Sequence, residues 1–237
     1  MTKLIDSTVY NLKCKKIKLI CIDFDNTLIS IHTYGKWNDN PKKLVKYVRP
    51  IFIKFIKKCL QRKINIAIVS FSPQEQVIRI VLNSIFGKQS KKILIKTTNQ
   101  KYKPDKIFCK INRKKLILKR KVPMILSVCN KIYKKKKITI MPPQILLIDD
   151  DYNNINIAKK SGFKTYLFNK YSEKNIMNDL GKEDVNSTVN SKPTTYTFIY
   201  ADACKLLLIL AIILFLVWRD RTTKTMGSKL ITFQTKN

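Results

Sequence analysis

Short apolar runs alternate with amphipathic stretches along the chain between residues 16 and 168. The apolar runs have the length of buried strands and lie at 16–23, 64–70, 92–96, 144–149 and 164–168. The stretches between them have a helical period at 41–62, 72–86, 122–134 and 153–161, and Ser72 with Pro73 predicts a capped start for the second. This alternation predicts an α/β fold with a mostly parallel sheet and helices on both faces.

Acidic or hydroxyl side chains stand at the ends of three predicted strands. Asp23 and Asp25 end the first, Ser70 ends the second, and residues 149–151 are three aspartates at the end of the fourth. Ligands of such folds bind outside the carboxyl ends of the strands, so we expect these groups to share one crevice. Carboxylates without thiols or several imidazoles suit a hard cation, and Mg²⁺ with open positions for phosphate oxygens fits best.

The net charge adds a second feature. The chain has 48 Lys and Arg residues against 15 Asp and Glu residues, a formal charge of +33. This excess indicates either a polyanionic partner or the codon bias of AT-rich coding, which favours Lys, Ile and Asn together. Arg, the usual residue for base contacts, is rare here, so nucleic acid is an open but less favoured partner. With 45% hydrophobic residues the chain can build a core, which excludes wholesale disorder.

The cysteines indicate the cellular compartment of the domain. Six cysteines are scattered without a CxxC pair, and the chain has one histidine, so a structural zinc site is not expected. The first residues lack the apolar core of a signal peptide. We therefore expect a cytosolic domain with reduced thiols.

The strand-end residues resemble the motifs of one family. The run 23–28, DFDNTL, resembles the DxDxT signature of the haloacid dehalogenase (HAD) superfamily. Ser70 resembles its second motif, and the LIDD run at 147–150 resembles its fourth. The resemblance covers residues 16–168 in motif order, and the run 21–37 is similar to an uncharacterised protist branch of the superfamily. It implies a HAD-type Rossmann-like sheet.

The resemblance also implies catalytic roles. Asp23 is the implied nucleophile, which forms an aspartyl-phosphate, and Asp25 the implied general acid and base. Thr27 would stabilise the loop and contact the substrate. Ser70 would bind phosphoryl oxygens. An aspartate at position 25 is typical of the superfamily's phosphatases rather than its dehalogenases.

The implied metal is Mg²⁺. Its ligands would be the Asp23 carboxylate, the backbone carbonyl of Asp25 and the carboxylate of Asp150, with Asp149 as the usual acidic neighbour. Asp151 fits a helix N-cap better than a ligand.

The lysine of the third motif has two candidates. Lys103, in the run KPDK, resembles one common form of that motif and would bind phosphate. Lys121 starts a helical segment and lies nearer to Asp149 in sequence, which suits a member without a cap domain. We prefer Lys121, while Lys103 stays open.

Residues near the predicted loop limit the shape of the site. His32, Tyr34 and Trp37 lie where the superfamily has a small flap, and either touch substrate or cover the edge of the domain. Neither 27–64 nor the basic insertion at 97–120 is long enough for a large cap domain. An open site would admit a bulky phosphorylated substrate.

The sequence predicts a division of the chain into four segments. We expect a catalytic domain at 1–175, a polar linker at 176–195, an apolar helix at 196–218 and a basic tail at 219–237. The apolar helix is either a single membrane anchor, with the domain in the cytosol, or a helix bound to the domain or to a partner. The leading function is a Mg²⁺-dependent phosphatase. The alternative is a catalytically weak or inactive HAD-fold protein that binds nucleic acid or another anionic partner through its Lys-rich surface.

Overall fold

The computed structural model describes residues 2–98 and 119–182, which belong to one compact unit, Met1–Glu183. The described strands are β1 (Leu19–Ile22), β2 (Asn65–Val69), β3 (Ile93–Lys96), β4 (Ile145–Asp149) and β5 (Lys164–Leu167). The described α-helices are α1 (Thr2–Cys14), α2 (Pro50–Gln61), α3 (Glu75–Phe86), α4 (Val122–Lys136), α5 (Tyr152–Lys160) and α6 (Ile176–Gly181).

The strands form one sheet in the order β3-β2-β1-β4-β5, and every neighbouring pair is parallel. The apolar runs are buried along β1 and β4, and the parallel strand pairing satisfies backbone groups that burial removes from water. The predicted parallel α/β sheet with helices is confirmed, and the fold is of the Rossmann-like class. β1 is central, so its carboxyl end lies between those of β2 and β4.

Alternate residues of the central strands enter two core clusters. Ile20 and Ile22 of β1 join the larger cluster with apolar residues of α1, α2, α3 and α6. Leu19 and Cys21 join the smaller cluster with α4 and α5. Because successive strand side chains point to opposite faces, the two clusters cover the two faces of the sheet. The prediction of helices on both faces is thus confirmed.

Two predicted helices begin later than their pattern indicated. The stretch 41–62 divides into a 3₁₀-helix, Pro41–Tyr47, and α2, because Pro50 holds the preceding Arg49 in an extended conformation. The helix predicted from residue 72 begins at Glu75. The Ser72 hydroxyl accepts the Gln74 backbone N–H at 3.2 Å, so Ser72 forms a local turn rather than the helix cap.

The first and last described helices, α1 and α6, were not predicted, and they pack on each other. The Thr8 hydroxyl of α1 donates to the Met177 carbonyl of α6 at 2.7 Å, and Asn11 donates to the Gly181 carbonyl at 3.1 Å. Ile176, Met177 and Leu180 are buried. The first residues of the predicted linker 176–195 therefore form a helix of the compact unit, because their apolar side chains complete the larger core cluster.

Several predictions concern residues outside the described ranges. These are Lys103 and most of the insertion 97–120, the apolar segment 196–218 and the basic tail 219–237. Within residues 2–98 and 119–182, no helix is both long and apolar enough to cross a bilayer.

Candidate active site

The carboxyl ends of β1 and β4 lie side by side. Their register pairs Ile22 with Ile148, and an aspartate follows directly in each segment. The Asp23 backbone N–H donates to the Ile148 carbonyl at 3.0 Å, so the pairing extends past the end of β1. The side chains of Asp23 and Asp149 are buried, with 6% and 0% of each residue exposed. Two aspartates far apart in sequence thus meet in one buried place.

The alternation of the strands directs both aspartates toward one face. Cys21 and Leu147, two residues before Asp23 and Asp149, belong to the cluster that includes α4. Side chains two residues apart in extended backbone point the same way. Both carboxylates therefore face the side of the sheet on which α4 begins.

Lys121, the residue before α4, joins the two carboxylates. Only 2% of Lys121 is exposed. Its ammonium contacts Asp23 Oδ1 and lies 2.8 Å from Asp149 Oδ2. Of the two lysines that the sequence offered, Lys121 lies in this cluster, while Lys103 falls outside the described residues.

The buried charges shift each other's pKa. Burial raises the pKa of Asp23 to about 8, against the opposing effect of the Lys121 ammonium, and Asp149 and Asp150 add to the rise. Burial acts to lower the pKa of Lys121, but Asp23 and Asp149 outweigh it and the pKa is raised. Lys121 is therefore held as a cation, whereas an ionised Asp23 needs more positive charge than Lys121 provides.

A group of three carboxylates has the size of a cation site. One carboxylate oxygen from each of Asp23, Asp149 and Asp150 lies within 4.8 Å of the other two. Three carboxylates against the one ammonium of Lys121 leave two negative charges when all are ionised. An all-oxygen donor set with this charge fits a hard divalent cation.

The helix after β4 orients this group. Asp149 Oδ1 accepts the Asp151 backbone N–H and the Asn154 side-chain amide, both at 3.0 Å. The Asp151 carboxylate accepts the Asn153 backbone N–H at 2.7 Å, so Asp151 caps α5 as predicted. Asn154, which is 3% exposed, follows the run that resembles the fourth motif, but the sequence assigned it no role.

The loop after β1 is a tight turn, Phe24–Leu28, with non-helical backbone at Asp25 and Asn26. Asn26 has φ 56°, a left-handed conformation that asparagine adopts more readily than most residues. The Leu28 backbone N–H donates back to the Asp23 carbonyl at 3.2 Å. The buried Thr27 hydroxyl donates to Asp150 Oδ1 at 3.2 Å, which links the loop to the end of β4. Thr27 therefore positions Asp150.

Asp25 and Ser70 flank the buried cluster. Asp25 Oδ1 accepts the Thr33 backbone N–H at 2.9 Å, so the segment after the loop fixes one carboxylate oxygen. Its carboxylate is not one of the three clustered above. Ser70 is 2% exposed, and its hydroxyl accepts the Ser72 backbone N–H at 3.1 Å. Asp25 and Ser70 line the same cleft as Asp23 and Lys121.

The segment predicted as a flap lies against the start of α3. The Trp37 backbone N–H donates to Gln74 Oε1 at 2.7 Å, and Gln74 Nε2 donates to the Trp37 carbonyl at 2.9 Å. A Cβ on Gly35 would come within 2.9 Å of Pro73, so glycine allows this close approach. His32 and Tyr34 line the cleft, while Trp37 does not line it and packs against the core.

The cleft at this edge has a volume of about 270 Å³. It brings together most of the residues predicted for catalysis or metal binding, namely Asp23, Asp25, Ser70, Lys121, Asp149 and Asp150. Thr27 does not line the cleft, and its hydroxyl instead positions the Asp150 carboxylate by a hydrogen bond. Phe71, which also lines the cleft, was not predicted, although it directly follows Ser70.

Arg49 supports the loop from the side away from the cleft. Its guanidinium donates to the Thr27 carbonyl at 3.2 Å and to the Asn26 carbonyl at 3.4 Å, and it pairs with Glu173. The sequence signal was slight: arginine is rare in this chain, and Arg49 stands just before the proline that starts α2.

No family model and no curated protein matches the chain. The functional conclusion therefore depends on the chemistry of the cleft. That chemistry is a buried lysine between two aspartates, a cation-sized carboxylate group, and a further aspartate and serine beside them.

Proposed function

We propose that this chain is a HAD-type, Mg²⁺-dependent phosphatase that acts through an aspartyl-phosphate. The observation that carries the proposal is the buried ammonium of Lys121 between Asp23 and Asp149, beside a cation-sized group of three carboxylates. A purely structural ion pair would need no third carboxylate and no excess negative charge. Such clusters of perturbed, buried titratable groups in a cleft are typical of catalytic sites.

The carboxylate group fits Mg²⁺, because its donors are all oxygen and, when all three are ionised, exceed the charge of Lys121 by two. Asp23, Asp149 and Asp150 are the residues that would hold the ion, with the Asp25 carbonyl as a further donor that the HAD resemblance implies. When bound, the ion would neutralise the phosphoryl oxygens and favour the ionised form of Asp23.

The residues of the chain divide the reaction between them. An Asp23 carboxylate oxygen attacks phosphorus, the bond from phosphorus to the ester oxygen breaks, and Asp25 gives its proton to the leaving oxygen. Water then gives a proton to Asp25 and attacks phosphorus, and the bond to Asp23 breaks to release inorganic phosphate. Ser70 and Lys121 hold the phosphoryl oxygens during both steps.

The role of Asp25 follows from its surroundings. The Thr33 N–H fixes one oxygen of its carboxylate, which directs the group toward the cleft. Asp25 stands outside the three clustered carboxylates, so it can exchange a proton while those carboxylates hold a cation. Nearby aspartates in different surroundings can thus take different roles.

The test uses the full-length protein, purified in mild detergent because of the apolar segment 196–218. Phosphate release from p-nitrophenyl phosphate is measured in EDTA and in Mg²⁺, for the wild type and for Asp23→Asn. We expect turnover in Mg²⁺ only, and a loss of about a thousand-fold or more in the variant. Acid-quenched wild type should carry phosphate that hydroxylamine removes.

Asp39→Asn is the matched control, because Asp39 is exposed and pairs with Lys43 at the surface. It should retain wild-type turnover. Equal turnover in Asp23→Asn and Asp39→Asn, or turnover that ignores the metal, would overturn the proposal. No turnover in any protein would favour the alternative, a HAD-fold protein that binds an anionic partner.

A further inference from the structure

Two aromatic side chains stand at the mouth of the cleft. Phe71 and Tyr34 both line it, with 41% and 79% of each residue exposed. Large exposed aromatic side chains are unfavourable in water, and they are informative when they line a site rather than lie alone on the surface. The polar side chains of the cleft would bind the phosphate group of a substrate. The two aromatic rings have no role in that binding.

The position of Phe71 relates it to the reacting atoms. It directly follows Ser70, and its ring centroid lies 5.4 Å from the Lys121 ammonium. That ammonium contacts Asp23, the proposed nucleophile. The first group beyond the ester oxygen of a substrate would therefore meet the Phe71 ring.

Tyr34 is held in place by its own loop. Its backbone N–H donates to His32 Nδ1 at 2.8 Å, and the two rings lie 4.4 Å apart between centroids. Tyr34 has φ 56°, a left-handed conformation that is uncommon and unfavourable for a bulky residue. Thr33, its neighbour, is tied to Asp25. The loop therefore sustains backbone strain at a residue whose aromatic ring lines the cleft.

We infer that the substrate is an aryl phosphate, in which an aromatic ring is bonded directly to the ester oxygen. The inference rests on the proposed function and names its substrate class. A ring bonded to the ester oxygen would extend from the polar floor of the cleft toward the aromatic side chains that line it, Phe71 and Tyr34. A sugar phosphate would place hydroxyl groups against Phe71, where they would lose hydrogen bonds to water. A nucleotide would place its ribose there, with the base further away.

Aryl phosphates occur as free small molecules and as phosphotyrosine side chains, so the experiment includes both sources. Values of kcat/KM in Mg²⁺ are measured for phenyl phosphate, phosphotyrosine, a phosphotyrosyl peptide, phosphoserine and adenosine 5′-monophosphate. Aryl esters have the better leaving group in any phosphatase. The decisive quantity is therefore the change that a variant causes in the aryl-to-alkyl ratio.

Phe71→Ala should lower kcat/KM for phenyl phosphate about ten-fold or more, and for phosphoserine less than about three-fold, because the lost contact is with the ring. Tyr34→Ala should act in the same direction with a smaller effect. Tyr171→Ala is the control, since Tyr171 is 78% exposed but does not line the cleft, and should change neither value. A peptide preferred over free phosphotyrosine would identify the protein-bound source, and the reverse would identify the small molecule.

A binding measurement distinguishes loss of ring binding from misfolding of a variant. Phenylphosphonate, which is not hydrolysed, should raise the thermal midpoint of the wild type more than methylphosphonate does, and Phe71→Leu should reduce that difference. Equal losses for aryl and alkyl substrates, or a preference for adenosine 5′-monophosphate, would overturn the inference and leave the proposed function standing. No Mg²⁺-dependent turnover of any substrate would overturn both.

Discussion

The loop after β1 separates two groups of charges that differ in their balance. On the cleft side, the described residues place three clustered carboxylates, those of Asp23, Asp149 and Asp150, beside one ammonium, that of Lys121, which pairs with Asp23 and Asp149. On the opposite side, Arg49 pairs with one carboxylate, Glu173, and its other donors bind the carbonyls of the loop. The first group has an excess of negative charge and the second has none.

The difference in charge balance distinguishes support of the loop from binding of a cation. A balanced pair whose remaining donors are satisfied can stabilise the loop without a ligand. An acidic excess in which two of three carboxylates are buried does not stabilise the fold by itself, because the buried charges have lost their water. Such an excess is useful only when a cation or a proton balances it, which is what a metal-dependent site requires. We therefore expect changes on the two sides of the loop to respond differently to metal.

The largest effect is expected on the cleft side, from Lys121→Met. This variant keeps much of the apolar stem but leaves Asp23 and Asp149 buried without their cation. In EDTA, the free energy of unfolding should fall by about 3–5 kcal/mol, the usual effect of removing one partner of a buried pair. Added Mg²⁺ should restore part of this loss, because it supplies positive charge to the same carboxylates. Urea unfolding followed by circular dichroism measures both values.

Lys134→Met is the control for Lys121→Met, because Lys134 lies on the same helix and is exposed. It should change the free energy of unfolding by less than about 0.5 kcal/mol. If the two variants lose the same stability, or if Mg²⁺ does not act on Lys121→Met, the acidic excess on the cleft side is not a cation site.

A smaller effect is expected on the opposite side, from Arg49→Met. The variant removes the donors to the Asn26 and Thr27 carbonyls and leaves Glu173 without its partner. The free energy of unfolding should fall by about 2 kcal/mol, since the Arg49 side chain is only 12% exposed. Mg²⁺ should not restore this loss, because the affected groups lie outside the carboxylate cluster.

The matched control is Lys43→Met, which breaks an exposed pair with Asp39. Exposed pairs of this kind contribute little to stability, so the free energy of unfolding of Lys43→Met should stay close to that of the wild type. A Mg²⁺-dependent recovery of Arg49→Met would show that the two sides of the loop are not separate, and would contradict the comparison.

The stability of the cleft side should also depend on pH in the absence of metal. The pKa of Asp23 is raised from 3.8 to about 8, chiefly by burial. Between these values the folded state holds a proton that the unfolded state has released, so the contribution of Asp23 to stability falls as pH rises through this window. Asp23→Asn lacks this contribution. The stability of the variant relative to wild type should therefore increase from pH 4 to 8 and then level off.

Urea unfolding in EDTA at several pH values measures this difference. The same series in Mg²⁺ should show a weaker dependence, because a bound cation favours the ionised carboxylate. Parallel pH profiles for the wild type and Asp23→Asn in EDTA would mean that the pKa of Asp23 is close to its ordinary value.

The sequence predicted the cluster in part. Asp23, Ser70 and Asp149 follow apolar runs, and parallel strands carry their ends to one edge, so their meeting could be expected from local pattern. Lys121 could be preferred over Lys103 only by spacing, because lysine is too abundant here for its identity to be informative. Arg49 could not be predicted, since its partner Glu173 lies 124 residues away.

The first and last described helices illustrate the same limit for the fold. Ile5, Val9 and Leu12 have helical spacing and could have predicted α1, whereas residues 176–181 are too short to show a period. Thr8 and Met177 meet across 169 residues of sequence, and the helices become buried only where they contact each other and the sheet. Local periodicity carries no information about such a pairing.

The sequence by itself determined the parallel α/β class and the placement of aspartates at the ends of β1 and β4. Both depend on side-chain period and on the residues that end each strand, which are local properties. Only the tertiary structure decided which lysine joins Asp23 to Asp149, that Arg49 supports the loop, and that Phe71 and Tyr34 face the cleft. These depend on burial and on charges distant in sequence, because a carboxylate's pKa and an ion pair's strength are set by the groups packed around them.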